Sequence, residues 1–189
     1  MKVACIQMTS AQDPAVNLSV IEARLRKAAA LGARLIALPE TCVFMERGKK
    51  AMQARLTAQK DNPDLKQIAA LTAELGVHVL IGSMVLASDG GDKAVNRSLL
   101  LAPNGAVAAH YDKVHMFDVT LANGETHAES ASYQPGERLA LVDLGPDLEP
   151  DIKGAKLGLS ICYDVRFPTL YRRLAEAGAD IIAVPSAFT

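Results

Sequence analysis

Ala30-Leu31-Gly32-Ala33-Arg34-Leu35-Ile36-Ala37-Leu38-Pro39-Glu40 has an echo late in the chain, Glu176-Ala177-Gly178-Ala179-Asp180-Ile181-Ile182-Ala183-Val184-Pro185-Ser186. Each copy holds a Gly-Ala helix exit, a short apolar run and a terminal proline. Glycine tolerates the left-handed backbone that ends a helix, and proline cannot extend a strand ladder. Two copies are too few for a repeat protein. The echo reads instead as two similar layers facing each other, each a sheet covered on its outside by helices.

The flanking segments fit that reading. Val3 to Met8 is strand-like, and Asp13-Pro14 opens a helix whose Leu18, Ile21, Leu25 and Ala28 recur at helical spacing until Gly32. Leu65, Ile68, Thr72 and Leu75 predict a second helix ending at Gly76, and Val77 to Leu86 a strand with a bend at Gly82-Ser83. Turn residues on both sides of Ala94 to Leu101 predict antiparallel hairpin strands, so the sheet is mixed. The stretch from Met116 to Arg138 has little periodicity and reads as one long loop, the kind that often carries function. A strand at Leu139 to Leu144, a polar turn region from Gly145 to Gly154, a strand to Cys162 and a helix around Thr169 to Ala177 complete the pattern.

With 189 residues, half of them hydrophobic, one globular domain is expected. A net charge of -1 from scattered charges of both signs argues against a nucleic-acid partner. The N-terminus enters a strand-like run with no long apolar segment and no cleavage site, so the expectation is a cytoplasmic protein without membrane attachment. Cys5, Cys42 and Cys162 are odd in number and far apart, which disfavours disulfides and zinc. Cys5 reads as a small buried hydrophobe and Cys42 as a packing residue, although Cys42 is near enough to Glu40 to line a cleft with it.

Cys162 is different. In Gly158-Leu159-Ser160-Ile161-Cys162-Tyr163-Asp164-Val165-Arg166-Phe167-Pro168 an apolar strand delivers a thiol to a polar turn before a helix, where backbone N–H groups can lower its pKa and bind an oxyanion. Leu35 to Glu40 ends a strand in a carboxylate, and His110-Tyr111-Asp112-Lys113-Val114-His115 places a lysine after a strand. Glu40 and Cys162 both sit at carboxyl ends of strands, where open α/β sheets bind ligands. A cysteine attacking an amide needs a base for its proton and a cation for the oxyanion, which gives Glu40 and Lys113 their roles. A Cys-His dyad through His115 or His127 lacks any orienting pattern, and His78 and His110 read as structural.

Leu38-Pro39-Glu40, Tyr111-Asp112-Lys113-Val114-His115 and Ile161 to Pro168, in this order and at this wide spacing, resemble the carbon-nitrogen hydrolase (nitrilase-like) superfamily. Phe117-Asp118-Val119, Glu129-Ser130, Pro135-Gly136 and Arg166-Phe167-Pro168 are most similar to its deaminated glutathione amidase branch. The resemblance runs from Val3 to Thr189. It implies an α/β fold, the four-layer αββα sandwich with mixed sheets. Relatives continue past the point matching Thr189, so the one domain over residues 1–189 is expected to lack its C-terminal part and to have a smaller second layer.

The resemblance also implies chemistry. Glu129 joins Glu40, Lys113 and Cys162 as a residue that orients Lys113 and the substrate amide, and the Tyr163 N–H is a second oxyanion donor. Arg166 is a candidate partner for a substrate carboxylate, with an internal ion pair to Asp164 or Glu176 as its alternative. The implied activity is a cofactor-free cysteine amidase that releases ammonia through a thioester, with deaminated glutathione as substrate, in a homodimer or higher homo-oligomer. An ω-amidase acting on 2-oxoglutaramate, a nitrilase or a carbamoylase could use the same residues. A reading of another class is an inactive truncated domain that serves only as an interaction partner. Lys113, taken as a solvent-accessible cleft cation, is expected to be removable without loss of the fold.

Overall fold

The helical stretches begin where their caps dictate. Asp13 accepts a hydrogen bond from the Ala15 N–H at 2.9 Å, Pro14 takes the first helical position, and α1 runs Pro14–Ala30. Asn62 does the same for Leu65 at 2.8 Å, so α3 runs Pro63–Leu75 and ends at left-handed Gly76. Between them lies a short helix, α2 (Lys49–Gln53), which the sequence pattern did not announce. The helix α4, Pro168–Glu176, also starts on a proline. This computed structural model describes residues 1–46, 48–90, 92–145 and 154–187. Most of the polar turn expected between Gly145 and Gly154 lies outside the described residues.

Five strands form the larger sheet in the order β1 (Val3–Cys5), β2 (Leu35–Ala37), β3 (His78–Ala87), β4 (Ala94–Leu101), β5 (Val107–Asp112). The first three are parallel and the last two antiparallel, giving the expected mixed sheet. The second sheet has the order β10 (Ile181–Ala183), β9 (Lys156–Leu159), β8 (Leu141–Asp143). It is the smaller layer among the described residues.

Strand periodicity assigns the layers. Ile36, Val79, Ile81, Leu99 and Leu101 pack with Ile21 and Leu25 of α1 and Ile68 of α3. Their neighbours Leu35, Leu80 and Leu100 point the other way and pack with Leu157 and Leu159 of β9. On the outside of β9, Gly158 lies under Leu174 of α4, whose methyls would be 3.2 Å from a Cβ there. The layers are therefore α1 and α3, the five-stranded sheet, the three-stranded sheet, and α4: an αββα sandwich. A cleft of about 920 Å³ opens between the sheets at β1 and β10, and Glu40 and Ala187 are among its lining residues.

Two expectations need correction. Cys5 is exposed, because β1 is the edge strand of its sheet. The Met116 to Arg138 segment is not one loop. It contains a hairpin of β6 (Asp118–Thr120) and β7 (Thr126–Ala128), followed by a 3-10 turn at Glu129–Ala131. Three-residue strands are too short to show periodicity, but their turn was written in Asn123-Gly124: Asn123 Oδ1 accepts the Glu125 N–H at 3.0 Å and Gly124 has φ 84°.

The bend expected at Gly82-Ser83 is a register shift between β3 and β4, and its use is to seat the Glu40 turn. A Cβ on Gly82 would sit 2.1 Å from the Leu38 carbonyl oxygen and 2.4 Å from that of Pro39. Ser83 then grips the turn: its N–H donates to Pro39 O, its Oγ accepts from the Thr41 N–H at 2.8 Å, and its carbonyl accepts from the Cys42 N–H. Gly82→Ala must push the turn away. It is expected to destabilise the chain by about 1–3 kcal/mol in urea unfolding, with the Glu40 chemistry impaired beyond the unfolded fraction.

Candidate active site

Glu40 follows the proline-ended exit of β2, and Cys162 follows β9 through Ser160-Ile161, beside the matching proline-ended exit of β10. Thr41, directly after Glu40, has φ 47°, and Cys162 has φ 46°. Left-handed backbone at a β-branched residue and at a cysteine costs about 1–3 kcal/mol apiece and persists only where surrounding bonds hold it. At Cys162 the N–H donates to Pro185 O at 2.9 Å, so the β10 exit holds the thiol turn. Beyond it, the Ala187 N–H donates to Glu40 Oε2 at 2.9 Å. The same N–H also lies against the Cys162 sulfur, where it favours the thiolate.

Lys113 follows β5 and is 3% exposed; Glu40 is 6% exposed. The Lys113 Nζ reaches Glu129 Oε1 at 3.0 Å and Oε2 at 2.9 Å, and Glu40 Oε1 at 3.4 Å. Burial opposes its charge, but the two carboxylates more than offset this and hold the ammonium above the ordinary lysine range. The structure thus brings Glu40, Lys113, Glu129 and Cys162 together as expected. One point differs: Lys113 is enclosed rather than solvent-accessible, so its removal takes the shared counter-charge from buried Glu40 and half-buried Glu129 and is expected to cost stability.

The Cys162 thiol is pushed up, first by burial and then by the charge and hydrogen bond of Glu40, against the downward pull of Lys113 and the Ala187 N–H. A thiol in that setting keeps its proton until a reaction takes it. Cys42 is fully buried on the helix side of the large sheet, away from this site, and burial pushes its thiol up to about 12. Native iodoacetamide labelling at pH 8 is therefore expected to modify Cys162 and spare Cys42. Peptide masses check it, and rapid Cys42 labelling in the folded chain contradicts the placement.

Two residues of the site were not singled out from the sequence. Asn96, in β4 and 2% exposed, donates from Nδ2 to Glu40 Oε1 at 3.0 Å while its carbonyl accepts the Lys113 N–H at 3.0 Å. The polar run Asn96-Arg97-Ser98 inside an otherwise apolar strand was the available signal. Ala187 acts through its backbone and leaves no sequence signal. Gly136, in the expected Pro135-Gly136 pair, donates to Lys113 O at 2.8 Å and lies so close to the Asp112 carbonyl that a Cβ would be 2.2 Å from it.

Glu129 is delivered by the β6–β7 hairpin and fixed by the Phe117 N–H, which donates to its Oε2 at 2.7 Å. Of the alternatives for Arg166, the ion pair with Asp164 does not form: Arg166 is exposed, and Asp164 is fully buried with other partners. These are Tyr111, His115 and the Ile161 N–H. His115 thus faces Asp164, and His127 pairs with Glu125 at 3.1 Å, so neither forms the dyad disfavoured above. Among the described residues no cluster of His, Cys, Asp and Glu could hold a metal ion, and no helix is long and apolar enough to cross a membrane.

Comparison with known proteins agrees with the geometry: the carbon-nitrogen hydrolase family profile matches residues 2–188. The chain belongs to the carbon-nitrogen hydrolase family. It is 40% identical to a deaminated glutathione amidase of Synechocystis sp. (strain PCC 6803 / GT-S), over 98% of this chain and 66% of that protein. The human deaminated glutathione amidase is 35% identical, over 98% of this chain and 55% of its own length. An amidase from Nesterenkonia sp. superposes with a TM-score of 0.81 at 26% identity, covering all of this chain and 65% of that one. One structure of that amidase carries acrylamide added at its active site cysteine. The chain thus spans between about half and two thirds of the length of these relatives.

Proposed function

We propose that this carbon-nitrogen hydrolase is a cysteine-dependent amidase that hydrolyses the terminal amide of a small carboxylate-bearing compound, with deaminated glutathione as the substrate its relatives suggest. The observation that carries the reading is the single Lys113 ammonium held between Glu40 and Glu129 beside the Cys162 thiol. Glu40 takes the thiol proton as sulfur attacks the amide carbon. The carbonyl π electrons move to oxygen, and Lys113, with the Tyr163 N–H, stabilises the oxyanion. Collapse of the tetrahedral adduct breaks the C–N bond, and Glu40 returns the proton to nitrogen so that ammonia leaves. A thioester remains. Glu40 then deprotonates water, whose hydroxide attacks the thioester carbon; the second collapse breaks the C–S bond, Glu40 returns its proton to the departing Cys162 sulfur, and the acid product gives up its own proton to solvent.

Glu129 has a static role in this cycle, keeping Lys113 aimed. Arg166, exposed four residues past the nucleophile, is the candidate for the substrate carboxylate. The homodimer implied by the resemblance belongs to the same reading and is checked by light scattering. Ammonia release from amides, nitriles and carbamoyl compounds tests the chemistry, with intact-mass trapping of an acyl adduct on Cys162. Turnover of nitriles or carbamoyl compounds alone selects the corresponding alternative. Absence of both turnover and adduct selects the interaction-domain reading.

A further inference from the structure

We propose that Asp164 is a positioning residue that sets the register of the Cys162 turn against the Lys113 strand. The proposal rests on the amidase reading above for its consequence, but its geometry is independent of the substrate. Asp164 is fully buried, and its carboxylate accepts from both sides of the site. On its own side, Oδ2 takes the Ile161 N–H at 2.9 Å, the residue just before the nucleophile. Across the sandwich, Oδ2 takes the Tyr111 hydroxyl at 2.8 Å, while Oδ1 takes the His115 N–H at 3.0 Å and lies 2.7 Å from His115 Nδ1.

Tyr111 and His115 are the residues two before and two after Lys113. In an extended chain these three share one face. The clasp therefore grips the lysine segment symmetrically about the ammonium-bearing residue, and it grips the nucleophile turn two residues past the sulfur. Phe167 reinforces it: its N–H donates to the Asp164 carbonyl at 2.9 Å, and its ring stacks on His115 with centroids 3.6 Å apart. Neither Glu40 nor Glu129 takes part. Without the clasp, the side-chain bonds described across the site are those of Glu40 to the Ala187 N–H and to the Cys162 thiol, neither of which starts from the Lys113 segment, so the distance from ammonium to sulfur loses a direct support.

The sign of one measurement separates this from a charge effect. Glu40, Lys113 and the Tyr171 hydroxyl all interact with the Cys162 thiol. Replacing Asp164 by asparagine removes a negative charge, which by itself lowers the thiol pKa; losing the register of Lys113 raises it. The pH dependence of iodoacetamide alkylation at Cys162, read from its peptide mass, is measured in the 189-residue chain, in D164N and in Tyr111→Phe, each with and without Lys113→Gln. Tyr111→Phe keeps the volume and the Asp164 charge while cutting one bond across the sheets, and it serves if D164N folds poorly.

Positioning predicts an upward shift of the alkylation midpoint in both variants, with neutral-pH alkylation roughly tenfold slower in D164N. It also predicts that Lys113→Gln, which shifts the parent upward, adds little in D164N. A downward shift, or an unchanged midpoint with only a lower melting temperature, overturns the proposal. Amide turnover is assayed in parallel: a Lys113-dependent midpoint without turnover sinks the amidase reading and leaves the clasp standing, whereas turnover with an unchanged midpoint does the reverse.

Discussion

Cys162→Ala is expected to lower ammonia release by at least about 10⁴-fold while the chain still folds. The sulfur is the one atom at the site able to form the acyl intermediate. The remaining groups, Glu40, Lys113 and the backbone donors, hold a substrate without an attacking partner. Folding should survive, because Cys162 is only half-buried and its turn is held by the backbone bond to Pro185 and by the Asp164 side chain. Alanine at φ 46° keeps the strain already present. Intact-mass spectrometry gives the second readout: the acyl adduct trapped on the parent chain must vanish in the variant. Cys5→Ala provides the contrast, since that exposed edge-strand residue supplies no group to the reaction, and its turnover should match the parent. Retained activity in Cys162→Ala is incompatible with a covalent mechanism at this residue.

The parts of this site readable from sequence were those where the chemistry demands a particular side chain. A strand ending in Glu40, a lysine after a strand and a cysteine at a strand-to-helix turn each declare themselves. The Gly32-Ala33 and Gly178-Ala179 echo gave the layered architecture because the same helix exit and strand length recur. Hydrophobic alternation in β3 and β4 was hidden, since both faces are buried between layers and apolar residues fall on both, as in Val79-Leu80-Ile81 and Leu99-Leu100-Leu101. What escaped notice was backbone and partnership. Asn96 matters through one amide and one carbonyl, and Ala187 through an N–H that any residue except proline possesses. Asp164 appeared as a possible mate for Arg166, because sequence proximity is visible and the partners Tyr111 and His115 lie some fifty positions away. The burial of Lys113 was likewise invisible. It depends on a hairpin of three-residue strands that returns Glu129 over it.

That burial gives the second large effect. Lys113→Met is expected to lower turnover by about 10²–10³-fold, the scale for losing one oxyanion-stabilising group. It should also cost about 3–5 kcal/mol of stability, because two enclosed carboxylates lose their shared counter-charge. Methionine keeps the bulk of the lysine stem, so the loss reports charge rather than a cavity. The sign with pH follows from the raised lysine pKa: its stabilising contribution is full below the ordinary lysine range and fades as pH rises through the higher folded value. Urea unfolding of the parent and the variant at pH 8 and at about pH 11 measures the trend, with the difference between them smaller at the higher pH. Adding Glu129→Gln to Lys113→Met sharpens the separation of folding from chemistry. The second substitution removes one unpaired charge and should recover part of the stability, yet it supplies no cation and should recover none of the rate. If Lys113→Met unfolds like the parent at both pH values, the ammonium is not the counter-charge of these carboxylates, and the arrangement on which the catalytic reading rests is wrong.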